Sequence, residues 1–266
     1  MPEKPKLWTV VGVDCALDEQ RLGLARGRLD ESGQLHIQRV TLGTAGESAA
    51  ASVSTWIRGA EAFVVALAAP LGWPQPLAAS LLEHQAGEKL AAPRDTLFRR
   101  QTDRELRKAL GRWPPEVGAD RIARTGWAAL ELLSEIRGLS QRPVPLAWQQ
   151  GVESGAIEVY PAATLLAHGH SSTSYKAKTP AGRRARQDLL QRLAAEMTLE
   201  VASAVLIEDP NQFDAVLCVI AGADFARGVC VEPTDRELAK REGFIWFRSS
   251  GQGLLPYAVD TPSASD

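Results

Sequence analysis

The chain has 266 residues, of which 45% are hydrophobic and 23% are charged, and its formal net charge is −2. This composition is typical of a soluble protein, and it provides no overall basic field for non-specific binding to nucleic acid. The three cysteines lack zinc-ligand spacing and do not indicate a disulfide framework, and no apolar run reaches the roughly 20 residues of a membrane span. We therefore expect a cytoplasmic protein with no membrane partner.

The first part of the chain predicts a three-stranded meander, a helix and a fourth strand. Strands rich in β-branched residues are predicted at residues 7–14, 21–29 and 35–42. An alanine-rich segment predicts a helix at 47–59. The wholly apolar run 63–67 is typical of a central strand that is covered on both faces, and the prolines at 70 and 74 end it.

The character of the sequence changes at residues 76–140, which we interpret as a helical insertion. Helices are predicted there at 76–91, 101–110 and 119–138. After the insertion, a strand is predicted at 157–160, helices at 181–197 and 213–225, and a short strand at 243–247. We expect one α/β domain over 1–266, with a frayed tail at 258–266.

This order of elements is the outline of a ribonuclease-H-like fold. Its core is a mixed sheet of β-β-β-α-β order with helices on its flanks. Sugar-kinase and actin-type ATPases share this outline, so the fold by itself does not determine the activity. These ATPases also need glycine-rich phosphate loops after the first strand, and Asp14 is followed by no glycine until Gly23. An ATPase is therefore the least favoured interpretation.

Three carboxylates occupy unusual positions. Asp14 ends the first strand, Glu158 lies in an apolar strand, and Asp214 opens an apolar helix. Because converging carboxylates bind hard divalent cations, these acids are candidate ligands for Mg²⁺ or Mn²⁺ in a phosphodiesterase site. The alternatives are a turn residue for Asp14, an edge-strand surface residue for Glu158 and a helix N-terminal acid for Asp214.

Basic residues supply candidates for phosphate binding. Arg99, Arg100 and Arg104 lie at helical spacing and are interpreted either as a phosphate clamp or as a solvated, ion-paired face. Arg183, Arg184 and Arg186 form a second cluster, which we assign to the plain surface.

A set of short segments, in order, resembles the family called domain of unknown function 429. The segments are 11–14 (Val-Gly-Val-Asp), 69–74 (Ala-Pro-Leu-Gly-Trp-Pro), 99–104 (Arg-Arg-Gln-Thr-Asp-Arg), 158–161 (Glu-Val-Tyr-Pro), 175–176 (Tyr-Lys) and 213–215 (Phe-Asp-Ala). The resemblance extends over about 8–247. It implies a ribonuclease-H-like nuclease, with Asp14, Glu158 and Asp214 as catalytic and metal-binding residues and nucleic acid or a nucleotide as the partner. It also adds Tyr175 and Lys176 to the candidate substrate-binding residues.

One position departs from the family pattern. Ala68 stands before the Ala-Pro-Leu-Gly segment, where the family usually has an aspartate. Alanine cannot coordinate a metal, and losing one carboxylate from a two-metal site slows the chemistry by orders of magnitude. The sequence therefore leaves two functions open, a metal-dependent nuclease or a non-catalytic protein that binds nucleic acid or nucleotides.

Overall fold

The computed structural model describes residues 6–43, 46–118 and 120–249. The predicted frayed tail at 258–266 lies outside this part of the chain. Among the described residues, no helix combines the length and the apolar character needed to cross a membrane.

A seven-stranded mixed sheet forms the centre of the molecule. Its strands are β1 (Trp8–Asp14), β2 (Gly23–Leu29), β3 (Leu35–Leu42), β4 (Ala62–Leu67), β5 (Ser154–Val159), β6 (Met197–Leu199) and β7 (Ile245–Trp246). Their order is β6-β3-β2-β1-β4-β5-β7. β2 runs antiparallel to both of its neighbours, and every other adjacent pair is parallel. This arrangement is consistent with a ribonuclease-H-like fold and confirms the predicted mixed α/β class.

Helices cover both faces of the sheet. They are α1 (Ala49–Arg58), α2 (Gln75–Leu81), α3 (Arg94–Phe98), α4 (Gln101–Leu110), α5 (Asp120–Leu139), α6 (Pro161–Ala167), α7 (Pro180–Leu193), α8 (Ser203–Glu208), α9 (Pro210–Ala226) and α10 (Arg236–Glu242). A 3-10 helix spans Glu19–Arg21. Alternate residues of β1 point to opposite faces, so Val10 packs in the cluster that contains α9 and Val11 packs in the cluster that contains α1 and α5. Every residue of β4 is buried, as expected for a strand covered on both faces.

Glycines allow α9 to approach the sheet closely. A Cβ atom added at Gly12 of β1 would lie 2.1 Å from the carbonyl oxygen of Ala215, and one added at Gly27 of β2 would lie 2.6 Å from Val219. From the helix side, a Cβ at Gly222 would lie 2.6 Å from Val10. Only residues without a side chain fit at these three positions, so the sequence sets the depth at which α9 lies against β1 and β2.

The structure also differs from the predicted elements. The helix predicted at 76–91 ends at Leu81, and Gly87 has a left-handed φ of 91° that a helix cannot contain. The predictions missed four short helices (α3, α6, α8 and α10) and the three-residue strand β6. Each missed helix has five to seven residues, too short for its apolar periodicity to be distinguished from that of a loop.

Candidate functional site

A cleft of about 800 Å³ opens at the carboxyl ends of β1 and β4 and beside the first turns of α9. Asp14, Glu158 and Asp214 all line it, and so does Ala68, which directly follows β4. Asp14 and Asp214 therefore line the same cavity, although they are 200 residues apart in the sequence. This position, outside the carboxyl ends of parallel strands, is where open α/β sheets commonly bind their ligands.

Close packing of α9 brings Asp214 next to Asp14. Asp14 is the last residue of β1 and pairs in the sheet with Gly23, where an added Cβ would lie 2.2 Å from the carbonyl oxygen of Asn211. The N-terminal turn of α9 thus lies directly on the end of the β1–β2 hairpin. Burial raises the pKa of Asp14 well above its usual range, and the negative charge of Asp214 raises it further.

Two side chains from the loop between α6 and α7 bind Asp214. The Tyr175 hydroxyl donates to its Oδ1 atom at 2.8 Å, and the Lys176 ammonium lies 2.5 Å from its Oδ2 atom. Burial raises the pKa of Asp214, although Lys176 and the Tyr175 hydroxyl act in the opposite direction. Among the described residues, the Asp14 carboxylate has neither a hydrogen-bond partner nor an ion-pair partner, so its oxygens remain available to a ligand.

The third predicted acid, Glu158, is engaged in a buried ion pair. Arg100 donates to both of its carboxylate oxygens, at 2.7 and 2.9 Å, and the backbone N–H of Leu71 donates at 2.9 Å. Arg100 also forms an ion pair with Asp103 at 3.0 Å. Burial raises the pKa of Glu158, and the adjacent Arg100 opposes this shift. The arrangement satisfies Glu158 with protein donors and leaves it little capacity for a metal ion.

The predicted phosphate-binding residues differ in whether they line the cleft. Arg100 and Lys176 line the cleft, whereas Tyr175 is buried behind Asp214. Arg99 and Arg104 are not part of the cleft lining. Arg99 pairs with Glu116 at 2.9 Å, and Arg104 donates to the carbonyl oxygen of Arg99. Arg99 is therefore ion-paired, as in the second interpretation, and Arg104 is exposed and bonded to the backbone.

The sequence analysis missed the basic rim of the cleft. Four exposed cations line it outside the carboxylates: Arg21, Arg121, Arg124 and Lys178. Arg124 pairs with Asp120 at 2.7 Å, but in the described part of the chain Arg121 and Lys178 form no ion pair. They come from different elements, α5 and the loop before α7. Single basic residues carry no local signal in a sequence, and only the fold brings them together.

A second missed residue fixes the backbone around Lys176. We expected Arg186 on the surface, but it is fully buried and this expectation is wrong. Its guanidinium donates to the carbonyl oxygens of Tyr175 and, at 3.1 Å, Ala177, and on its other side to that of Ile207 at 2.8 Å. Arg186 therefore joins the loop that carries Lys176 to the end of α8. Its helical neighbours Arg183 and Arg184 are exposed, as predicted.

Comparison with known proteins gives one result. A family model described as "Protein of unknown function (DUF429)" matches residues 12–238, which is most of the chain. The chain belongs to the DUF429 family. No curated protein and no solved structure matches it. The match includes the three acids, Arg100 and the Tyr175–Lys176 pair, and family membership by itself assigns none of them a role.

The side chains of this DUF429 protein suit one hard cation better than two. No three His, Cys, Asp or Glu side chains within 6–43, 46–118 and 120–249 converge closely enough to hold a metal ion. Asp14 and Asp214 remain as two adjacent carboxylates in the cleft. Mg²⁺ is commonly held by one or two carboxylates, with water and substrate phosphate oxygens as its other ligands, and this donor pair fits that pattern.

Proposed function

We propose that the cleft hydrolyses phosphodiester bonds in nucleic acid or a nucleotide, with one Mg²⁺ or Mn²⁺ ion held by Asp14 and Asp214. The observation that carries the proposal is the Asp14 carboxylate, which has no partner among the described residues and lies next to Asp214 in a cleft with a basic rim. A mostly buried carboxylate without a partner is costly, and a bound cation removes that cost. The sparse, free cysteines agree with a cytoplasmic location.

The acids and the cations of the cleft would act on different parts of the substrate. When bound, a divalent cation supplies Lewis acidity, which activates water and neutralises charge on the phosphate. Arg121 and Lys178 on the rim are positioned to bind neighbouring phosphates, because no protein carboxylate in the described residues neutralises them. Glu158 fixes the Arg100 guanidinium at the inner wall and is a positioning residue in this proposal.

The test is a cleavage assay of the full chain with Mn²⁺ or Mg²⁺ on single- and double-stranded DNA and RNA. We expect metal-dependent cleavage by the parent protein and a loss of at least 100-fold in Asp14→Asn, since the remaining carboxylate cannot hold the cation alone. Asp188→Asn is the matched control. It removes one aspartate charge from an exposed position on α7 and should retain parental activity.

Two results would contradict the proposal. One is cleavage by Asp14→Asn at the parental rate, which would point to a contaminating nuclease. The other is the absence of cleavage in the parent protein with every substrate and both metals. A circular dichroism spectrum of each variant confirms that it is folded before the rates are compared.

A second function is favoured by Ala68. The methyl group of this residue lines the cleft where the family usually has an acid, and Glu158 is already paired with Arg100. A protein that binds nucleic acid or nucleotides without cleaving them would have this character. This second function predicts that the parent binds oligonucleotides without cleaving them. It also predicts that Lys178→Gln weakens the binding. Ala68→Asp would then strengthen Mn²⁺ binding, measured by calorimetry. Unchanged Mn²⁺ affinity would argue that an acid at position 68 does not bind the metal.

A further inference from the structure

The Lys176 ammonium contacts one of the two cleft acids, Asp214, and acts electrostatically on the other, Asp14. It lies 2.5 Å from Asp214 Oδ2. Burial raises the pKa of Asp14, and the positive charge of Lys176 acts in the opposite direction. The Asp214 side chain is 3% exposed, whereas that of Lys176 is 55% exposed. The ammonium therefore approaches the buried acid from the open side of the cleft, as an incoming ion would.

The backbone and the side chain of Lys176 differ in their constraints. The buried Arg186 guanidinium binds the carbonyl oxygens of Tyr175 and Ala177, on either side of Lys176 in the sequence. The backbone is thereby fixed, but the contacts that hold the exposed four-carbon side chain within the described part of the chain are at its tip, with Asp214 and with the nearby Tyr175 ring. Rotation of the side chain alone can move the ammonium away from Asp214 without moving the loop.

Charge balance limits the number of cations that the site can hold. Among the described residues that line the cleft, Glu158 is paired with Arg100, Asp18 with Arg21 and Asp120 with Arg124, so Asp14 and Asp214 are the two acids without an arginine partner. The Lys176 ammonium neutralises about half of their negative charge. A divalent ion bound beside the ammonium would be repelled by a positive charge a few ångströms away, and this repulsion is strong in a partly buried site.

We propose that Lys176 is the resident counter-cation of the Asp14–Asp214 pair and competes directly with the divalent metal ion for it. This inference rests on the proposed function, because it concerns regulation of the same site. Metal binding moves the ammonium into the open cleft, where it is free to meet a substrate phosphate. The ammonium thus keeps the Asp14–Asp214 pair partly neutralised until metal and substrate arrive.

Calorimetry of the full chain with Mn²⁺ alone, at constant pH and ionic strength, tests the competition. We expect Lys176→Gln to bind Mn²⁺ at least tenfold more tightly than the parent, and Lys176→Arg, which retains the charge, to remain close to the parent. Lys108→Gln is the matched control. It removes a lysine charge from an exposed position on α4 that does not line the cleft, and its Mn²⁺ affinity should change less than threefold.

A second measurement follows the ammonium itself. Acylation of Lys176 by an amine-reactive reagent, quantified by mass spectrometry, should increase severalfold when Mn²⁺ saturates the site, because the displaced ammonium no longer pairs with Asp214. Lys108, which is exposed on α4 and does not line the cleft, provides the internal reference in the same spectra, and its labelling should stay constant.

The outcomes separate the inference from the proposed function. Equal Mn²⁺ affinity in the parent and Lys176→Gln, or equal labelling with and without Mn²⁺, overturns the competition and leaves a metal-dependent phosphodiesterase intact. Tighter Mn²⁺ binding in Lys176→Gln with no cleavage of any nucleic acid supports the competition and counts against the phosphodiesterase. Absence of Mn²⁺ binding in the parent and in every folded variant overturns both.

Discussion

Two acidic groups, one at the inner wall of the cleft and one at the end of β1, have opposite electrostatic environments. Glu158 and Asp103 share the buried Arg100 guanidinium, and their oxygens accept hydrogen bonds from it. Asp14, in contrast, has no partner in the described residues and lies beside a second carboxylate, Asp214. The comparison teaches that burial alone does not identify a reactive acid. The distinguishing property is whether the protein itself supplies the compensating charge.

The largest expected effect comes from breaking the satisfied group. Arg100→Met leaves Glu158 and Asp103 buried without their cation, and we expect a loss of about 3–5 kcal/mol in the free energy of unfolding, measured with urea. Arg104→Met is the control, because Arg104 is exposed, and it should cost less than about 1 kcal/mol. Adding Glu158→Gln to Arg100→Met should recover part of the loss. No recovery would show that the guanidinium acts through packing rather than charge.

Gly12→Ala tests the packing that brings Asp214 next to Asp14. The new methyl group would lie 2.1 Å from the Ala215 carbonyl oxygen, so α9 must shift away from β1. We expect a loss of about 1–3 kcal/mol in the free energy of unfolding. Asp214 would move with the helix, so weaker Mn²⁺ binding should accompany the loss. Gly59→Ala, at a glycine with no atoms near the added Cβ, is the control and should leave both quantities unchanged.

Much of the fold, and the meeting of the acids in one cleft, could be predicted from the sequence. The first four strands lie within two residues of their predicted bounds, and α4 was predicted at its observed bounds, whereas β5 begins three residues before its predicted start and β6 was missed. Asp14 stood at the end of a strand and Asp214 near the start of a helix, positions that a parallel sheet brings to one edge. The ionic partners were not predictable. Glu158 and Arg100 are 58 residues apart, and no local pattern distinguishes a paired acid from a free one.

The same limit applies to the arginines. Arg100 and Arg186 are buried, whereas their sequence neighbours Arg104 and Arg184 are exposed. All four lie in strongly charged segments that are typical of solvated helix faces. Their burial depends on Glu158 in one case and on backbone carbonyl groups of distant loops in the other. Only the assembled tertiary structure contains that information.

Tyr175→Phe probes the partial satisfaction of Asp214. Loss of the hydroxyl removes a 2.8 Å hydrogen bond to Oδ1, and we expect a loss of about 1–2 kcal/mol in the free energy of unfolding. Tyr160→Phe is the matched control, because the Tyr160 hydroxyl forms no hydrogen bond within the described residues. A similar loss in both variants would assign the effect to the aromatic hydroxyl in general rather than to Asp214.

Asp14→Asn has the smallest expected effect on stability. It should raise the free energy of unfolding, whereas the substitutions above should lower it. The folded protein raises the pKa of Asp14, so the ionised carboxylate destabilises the fold at neutral pH. Removing the charge should therefore stabilise the metal-free protein at pH 7, measured by urea unfolding.

The pH dependence of that gain identifies its cause. The stabilising contribution of the neutral Asp14 carboxyl is complete below its unfolded pKa of about 3.9 and is lost as the pH rises through the higher folded pKa. The advantage of Asp14→Asn over the parent in urea unfolding should consequently shrink as the pH is lowered from 7 towards 4. An advantage that is independent of pH would instead indicate a packing effect. With saturating Mn²⁺ the parent should become more stable than Asp14→Asn, because only the parent gains the binding energy of the metal. If Mn²⁺ stabilises neither protein, Asp14 is not a metal ligand.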